Sequence, residues 1–276
     1  MSALDQLTDW PVSNCAAAVV GLGGVLTTFG DQQHRYELAS VTKPLAALAT
    51  LVAVEEEAVS LDEALTDPAL AGILPGATLR HLLAHASGIA PDRRERAATP
   101  GTRRIYSNAG FDVIGELVSS ATGLAFADYL HEAVFAPLHM TATLHGSTAK
   151  DGIGSVADLT RVLTELLAPS GLVHPSTLQA ATTVQFPNLR GVLPGYGVQD
   201  HNDWGLGFEI RADKNPHWTS ARNSPATYGH FGRSGTMIWV DPQARLGLVA
   251  LADRDFDEWS IEAWPLLSDA VLDEFS

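Results

Sequence analysis

The chain has 276 residues, 46% apolar and 18% charged, with 24 glycines and 15 prolines. That is enough for about two units of ~150 residues, or one large discontinuous one, and the composition is globular rather than disordered. Lys plus Arg total 17 against 32 Asp plus Glu, a net charge of -15, which argues against a nucleic acid or an anionic membrane as partner. No run of about 18 apolar residues occurs, so no bilayer-spanning segment is expected. The first basic residue, Arg35, lies behind Asp5 and Asp9, so no signal peptide is expected either. Cys15 is the single cysteine and can form neither an intrachain disulfide nor a CxxC knuckle. The expectation is an acidic, cytoplasmic protein.

Ala16 to Val20 and Val25 to Phe29 are short apolar stretches around Gly21-Leu22-Gly23-Gly24, which predicts an N-terminal hairpin. Leu45 to Val54 is Ala- and Leu-rich and apolar on nearly every side, which predicts a buried helix with Pro44 in its first turn. From Leu61 to about Thr183 the pattern is helical. Thr78 caps one predicted helix, and Asn108 precedes another over Ala109 to Ala121. A third runs from Leu124 to Phe135, and Ser155 with Asp158 opens a fourth. Strand patterns return at Gly205 to Arg211, Thr236 to Val240 and Leu246 to Leu251, before an amphipathic helix over Ser260 to Phe275. This order predicts an α+β fold. An α/β lobe is expected from residues 1–59 and 200–276, with a helical lobe, 60–199, inserted between.

The lysines are Lys43, Lys150 and Lys214 only, and two of them stand in Ser-x-x-Lys, as Ser40-Val-Thr-Lys43 and Ser147-Thr-Ala-Lys150. At helical spacing, i and i+3 share a face, so the amine can reach the hydroxyl. Ser40 opens the buried helix, where N–H groups can bind an oxyanion and water is scarce; Ser147 has no helix behind it. The plainer alternative for Ser40 is a helix cap with a solvated lysine. Tyr106-Ser107-Asn108 offers a phenol to share a proton with Lys43 and an amide to orient substrate; otherwise Asn108 is a cap. His230-Phe231-Gly232-Arg233-Ser234-Gly235-Thr236 opens a predicted strand, where glycine permits close approach of a ligand; otherwise it is a turn. His81 and His85 have the i, i+4 spacing of a zinc helix, but the glutamate of that motif is missing and no third ligand can be named.

These three pieces, in this order, resemble the serine β-lactamase and penicillin-binding protein superfamily. The resemblance is closest to the class C branch with its esterases and D-amino-acid peptidases. Leu79-Arg-His-Leu-Leu-Ala-His-Ala-Ser-Gly88, Pro100-Gly-Thr and the Trp239-Val-Asp-Pro that follows the third piece also fit that branch. The resemblance implies an antiparallel sheet flanked by helices, with an inserted all-helical lobe and the active site in the cleft between. It implies Ser40 as nucleophile of an acyl-enzyme and Lys43 with Tyr106 as its acid–base pair. Asn108, His230, Gly232 and Arg233 become the substrate-binding set, with the oxyanion held by the N–H groups of Ser40 and Arg233. Neither metal nor other cofactor is expected.

Free lysine is a poor base at neutral pH, and lowering its pKa by ~3 units costs about 4 kcal/mol, within reach of burial. The sequence leaves open which of Lys43 and Tyr106 holds the proton. Where many relatives carry lysine in the third motif, this chain has His230, mostly neutral at pH 7. A shifted register would put Arg233 there instead. A small-molecule ester or amide substrate is therefore expected, with a carboxylesterase-like activity favoured over a β-lactamase or D-amino-acid peptidase. A binding protein of the same fold without turnover is the alternative. Substrate, deacylating group and oligomeric state are not legible.

Overall fold

The computed structural model describes residues 2–65 and 68–276. A 3₁₀ helix over Ala3–Asp9 leads into β1 (Cys15–Gly21) and β2 (Gly24–Phe29), which pair antiparallel as the hairpin signal predicts. After β3 (Tyr36–Glu37), a 3₁₀ turn over Ala39–Val41 runs into α1 (Thr42–Glu55). The middle of the chain carries α2 (Pro68–Ile73), α3 (Leu79–Leu83), α4 (Asn108–Thr122) and α5 (Phe126–Leu130). Residues 66–67 of the span predicted to be helical lie outside the described residues. Next come β4 (Thr143–Leu144), β5 (Gly152–Gly154), α6 (Val156–Leu167), α7 (Pro175–Ala181) and a hairpin of β6 (Gly191–Leu193) with β7 (Gly197–Gln199). The chain ends with β8 (Glu209–Ile210), β9 (Tyr228–Gly232), β10 (Thr236–Asp241), β11 (Leu246–Ala252) and α8 (Glu258–Phe275).

Among the described residues, six strands form one antiparallel sheet in the order β2-β1-β11-β10-β9-β8, so both chain ends build it. Side chains alternate across a strand. Ala16, Ala18 and Val20 therefore enter the core shared with α1, α4 and α6, while Ala17 and Val19 pack with Trp239, Trp264 and Leu267 against α8. Both faces are covered, which is why β1 and β11 read as unbroken apolar runs. α6 lies across β1, β10 and β11 although it comes from mid-chain. Its start is the box read from sequence: Ser155 Oγ accepts from Asp158 N–H, and Asp158 returns the bond to Ser155 N–H at 3.0 Å. No helix among the described residues is long and apolar enough to cross a membrane.

The sequence reading places His230 at the mouth of the strand that continues through Met237, but the structure gives it a strand of its own. β9 pairs with β10 in the register Ile238↔His230, and residues 233–235 make the turn between them. Two glycines in five residues hid that strand. Gly229 is needed because a Cβ there would run into the Ile238 carbonyl and come within 2.8 Å of Trp239 Cα. Gly229→Ala is therefore expected to cost about 1–3 kcal/mol of stability, read as a lowered urea midpoint at unchanged m-value. A wild-type midpoint would show that the strands separate freely.

Candidate active site

The site forms where the first turn of α1, the start of α4 and the end of β9 converge. Val41 to Ala49 are buried without exception, so the α1 N-terminus sits inside protein rather than at the surface. Lys43 is fully buried. Its Nζ donates to Asn108 Oδ1 at 2.8 Å and to the Ala149 carbonyl at 3.0 Å, and lies 3.2 Å from Ser40 Oγ. It also sits 4.5 Å from the centroid of the Tyr106 ring. Burial lowers its pKa to about 7, against the opposing pull of Asp112 and Asp92 and with the help of Lys150. A neutral amine has two N–H groups and one lone pair. The two fixed acceptors occupy the N–H groups, which leaves the lone pair for the Ser40 hydroxyl.

Tyr106 Oη donates to Ser40 Oγ at 2.6 Å and is 3.5 Å from His230 Nε2. Burial pushes the phenol well above its usual range despite the opposing bond to Ser40. The proton left unassigned by the sequence therefore stays on Tyr106, and Lys43 is the member of the pair that titrates. His230 Nδ1 contacts the Phe231 carbonyl at 2.7 Å, which makes Nδ1 the protonated nitrogen and leaves Nε2 to accept. Burial first, then the nearby Lys43, lowers its pKa to about 3. The protonated minority considered for neutral pH is thus negligible.

Asn108 is not the helix cap. Ser107 is: its Oγ accepts from Gly110 N–H at 2.9 Å, which frees the Asn108 side chain for Lys43 and, through Nδ2, for Asp92 at 2.8 Å. Gly232 does not face the cleft. A Cβ there would strike the Leu38 carbonyl and come within 3.2 Å of Ala39 Cβ, so its bareness lets β9 close against the turn that carries Ser40. Arg233 follows β9 with an 87% exposed side chain, 3.6 Å from Asp255, at the mouth of the cleft. Arg222 is occupied by Asp273. Ser147 donates to Asp112 at 2.6 Å and does not line the cleft, while Lys150 does. Ser40 is a first-turn residue, so its N–H lacks an intrahelical acceptor, as an oxyanion donor must.

Some neighbours were not singled out in the sequence, or were given another task. His85 is buried under Tyr106, ring centroids 4.7 Å apart, and brackets it: its carbonyl accepts from Ile105 N–H at 2.9 Å and its Nδ1 from Ser107 N–H at 3.1 Å. It is thereby committed to holding the Tyr106 segment, while His81 bonds to Thr78 and stacks on Phe186. Glu209 lines the cleft and is buried with Lys214 at 3.1 Å, His217 at 2.9 Å and the Trp218 indole at 2.5 Å. Burial alone would raise its pKa, but Lys214, His217 and these bonds hold it well below the usual carboxylate range. A lone Glu between Phe208 and Ile210 was the available signal.

The sequence profile of the β-lactamase family matches residues 14–271, and the chain belongs to that family. A β-lactamase from Mycobacterium bovis is 52% identical, with 99% of each chain covered and a TM-score of 0.95. Simvastatin synthase from Aspergillus terreus, in a mutant form, is 20% identical over 98% of this chain and 92% of its own, with a TM-score of 0.82, a likeness of fold. Penicillin-binding protein 4* of Bacillus subtilis is 28% identical over 135 residues, 39% of this chain and 30% of that protein. This match spans well under half of the curated relative's length. The family is one of serine hydrolases, on an α+β fold with an antiparallel sheet and flanking helices.

With only three lysines to resolve, ¹³C NMR of labelled lysine side chains should show one amine titrating near pH 7, absent in Lys43→Met. An activity that needs this amine neutral, as a proton acceptor, should fall about tenfold per pH unit below 7 and level off above. A Lys43 signal titrating at its ordinary alkaline value would overturn this account.

Proposed function

We propose that this chain hydrolyses a small ester or amide through an acyl-enzyme on Ser40. The observation that carries the reading is the position of Ser40 Oγ, held at once by Lys43 Nζ at 3.2 Å and Tyr106 Oη at 2.6 Å. In acylation, Ser40 Oγ bonds to the substrate carbonyl carbon as its proton passes to neutral Lys43. The bond to the leaving group then breaks, the leaving atom takes the Tyr106 proton, and the Lys43 ammonium restores it to the phenolate. Water releases the acyl group as an acid. Asn108 keeps Lys43 in place and presents its amide to the cleft. His230 Nε2 lies 3.5 Å from Tyr106 Oη and lines the cleft beside it, and the N–H groups of Ser40 and Arg233 serve the oxyanion.

Esters are favoured over β-lactams because His230 is neutral. A charge-assisted bond to a substrate carboxylate is worth about 1.5–3 kcal/mol, roughly 10- to 150-fold, and His230 cannot supply it. A second reading, β-lactam hydrolysis, draws support from the description of the Mycobacterium bovis relative and from the exposed Arg233 guanidinium.

Intact mass after brief exposure to p-nitrophenyl butyrate and to nitrocefin should show one acyl adduct, lost in Ser40→Ala and kept in Ser147→Ala. An adduct surviving on Ser40→Ala would sink the nucleophile assignment. Turnover of the ester should exceed that of nitrocefin; the reverse order would favour the second reading. Lys43→Ala and Tyr106→Phe should each cost on the order of 10²–10⁴ in kcat, and the double variant less than their product, since both serve one proton transfer.

A further inference from the structure

Ser40 lies on the seam between two chambers of opposite character. One, of about 390 Å³, is walled by Tyr106, Trp204, His230, Phe231 and Phe256. The other, of about 580 Å³, is walled by Glu37, Asp92, His145, Lys150 and Asp151. Ser40, Asn108 and Arg233 border both. A substrate whose carbonyl carbon meets Ser40 Oγ must send its acyl group into one chamber and its leaving group into the other.

The proton donor decides which. When the carbon–oxygen bond breaks, the leaving oxygen needs a proton from a group within hydrogen-bond reach. Tyr106 is bonded to Ser40 and faces the first chamber only, while Lys43 is fully buried and borders neither. A leaving oxygen in the polar chamber would depart away from Tyr106. We propose that the aromatic chamber is the leaving-group site and the polar chamber the acyl site. The substrates are then esters that join a compact, hydrogen-bonding acyl group to an aromatic or similarly bulky apolar alcohol. This assignment rests on the acyl-enzyme reading above.

The aromatic chamber is built for a flat apolar guest. Phe231 and Phe256 lie 4.9 Å apart between ring centroids, inclined by 38°, and Trp204 stands edge-on to His230 at 5.3 Å. Gly195 keeps the wall low, since a Cβ there would lie 2.5 Å from Phe256 Cε1. Glu209 adds no net charge because Lys214 neutralises it. The volume is at the small end of ligand pockets, about 300–1,000 Å³, and suits one or two fused rings. The polar chamber offers the Lys150 amine and the Asp92, Asp151 and Glu37 carboxylates, which an unbranched alkyl chain would desolvate without return.

Two ester series test the assignment. In the first, acetate is fixed and the leaving group grows from hexafluoroisopropanol to phenol to 2-naphthol, alcohols of similar acidity. In the second, p-nitrophenol is fixed and the acyl group runs through methoxyacetyl, acetyl, butyryl and hexanoyl. The expected kcat/KM rises at least about tenfold along the first series and falls at least about tenfold from methoxyacetyl to hexanoyl. Phe256→Ala should flatten the first series and not the second, and Lys150→Ala should act the other way round. A flat leaving-group series together with a preference for hexanoyl, or Phe256→Ala acting on the acyl series, would overturn the assignment. Intact mass, run with each ester, separates the two levels. A Ser40 adduct with the wrong selectivity sinks only the chamber assignment. Absence of a Ser40 adduct with every ester sinks the acyl-enzyme reading and the assignment with it.

Discussion

An amine with no access to water, three residues from a serine hydroxyl, is the constraint around which the rest of the molecule is arranged. Holding Lys43 at a pKa of about 7 rather than 10.5 costs the fold on the order of 4 kcal/mol at neutral pH, a sizeable part of the 5–15 kcal/mol that a domain has in hand. The helix around it is accordingly made of alanine and leucine packed without exposure. Its two N–H groups are directed by acceptors from distant segments, Asn108 at the start of α4 and the Ala149 carbonyl. The second acceptor is held in place from the same helix turn: Gly152 N–H donates to Thr42 Oγ1 at 3.0 Å, and a Cβ on Gly152 would leave no room for that bond.

The parts legible from sequence were those in which local pattern and chemistry agree. Proline and an apolar run announced α1, and lysine three residues behind a serine announced the contact between the two at its start. The β1–β2 hairpin and the Ser155–Asp158 box were equally local. What stayed hidden depends on distance along the chain. Ser107 rather than Asn108 caps α4 because Lys43, 65 residues upstream, claims the amide. β9 was obscured because its glycines, poor strand formers, are required by a close-packed neighbour and by the Ser40 turn. The aromatic chamber draws its walls from the tip of the β6–β7 hairpin, β9 and the segment before α8, which nothing in a single window could join.

The ionic cluster behind the cleft follows a different logic from that of Lys43. Glu209, Lys214 and His217 are buried together, and both Glu209 oxygens are used: Oε1 by Lys214 and His217, Oε2 by Trp218. Lys214 also donates to the Asp203 and Ile210 carbonyls. A cluster so completely paired has little left to offer a substrate. Removing one member would leave a buried charge alone, which is far more costly than removing the whole group. Its position ties β8, on the sheet edge, to the segment that carries Trp218.

The exposed guanidinium of Arg233 gains another meaning once the whole molecule's field is considered. A chain of net charge -15 repels anions diffusing toward it, and does so over a longer range as salt is lowered, the screening length being about 8 Å at physiological ionic strength. At the cleft mouth Arg233, 3.6 Å from Asp255, offsets that field only in part. Neutral molecules cross it without hindrance or help, whereas carboxylate-bearing ones must climb it. Encounter rates for the two classes should therefore part company as ionic strength falls, so that discrimination between them begins in solution, before either touches Ser40.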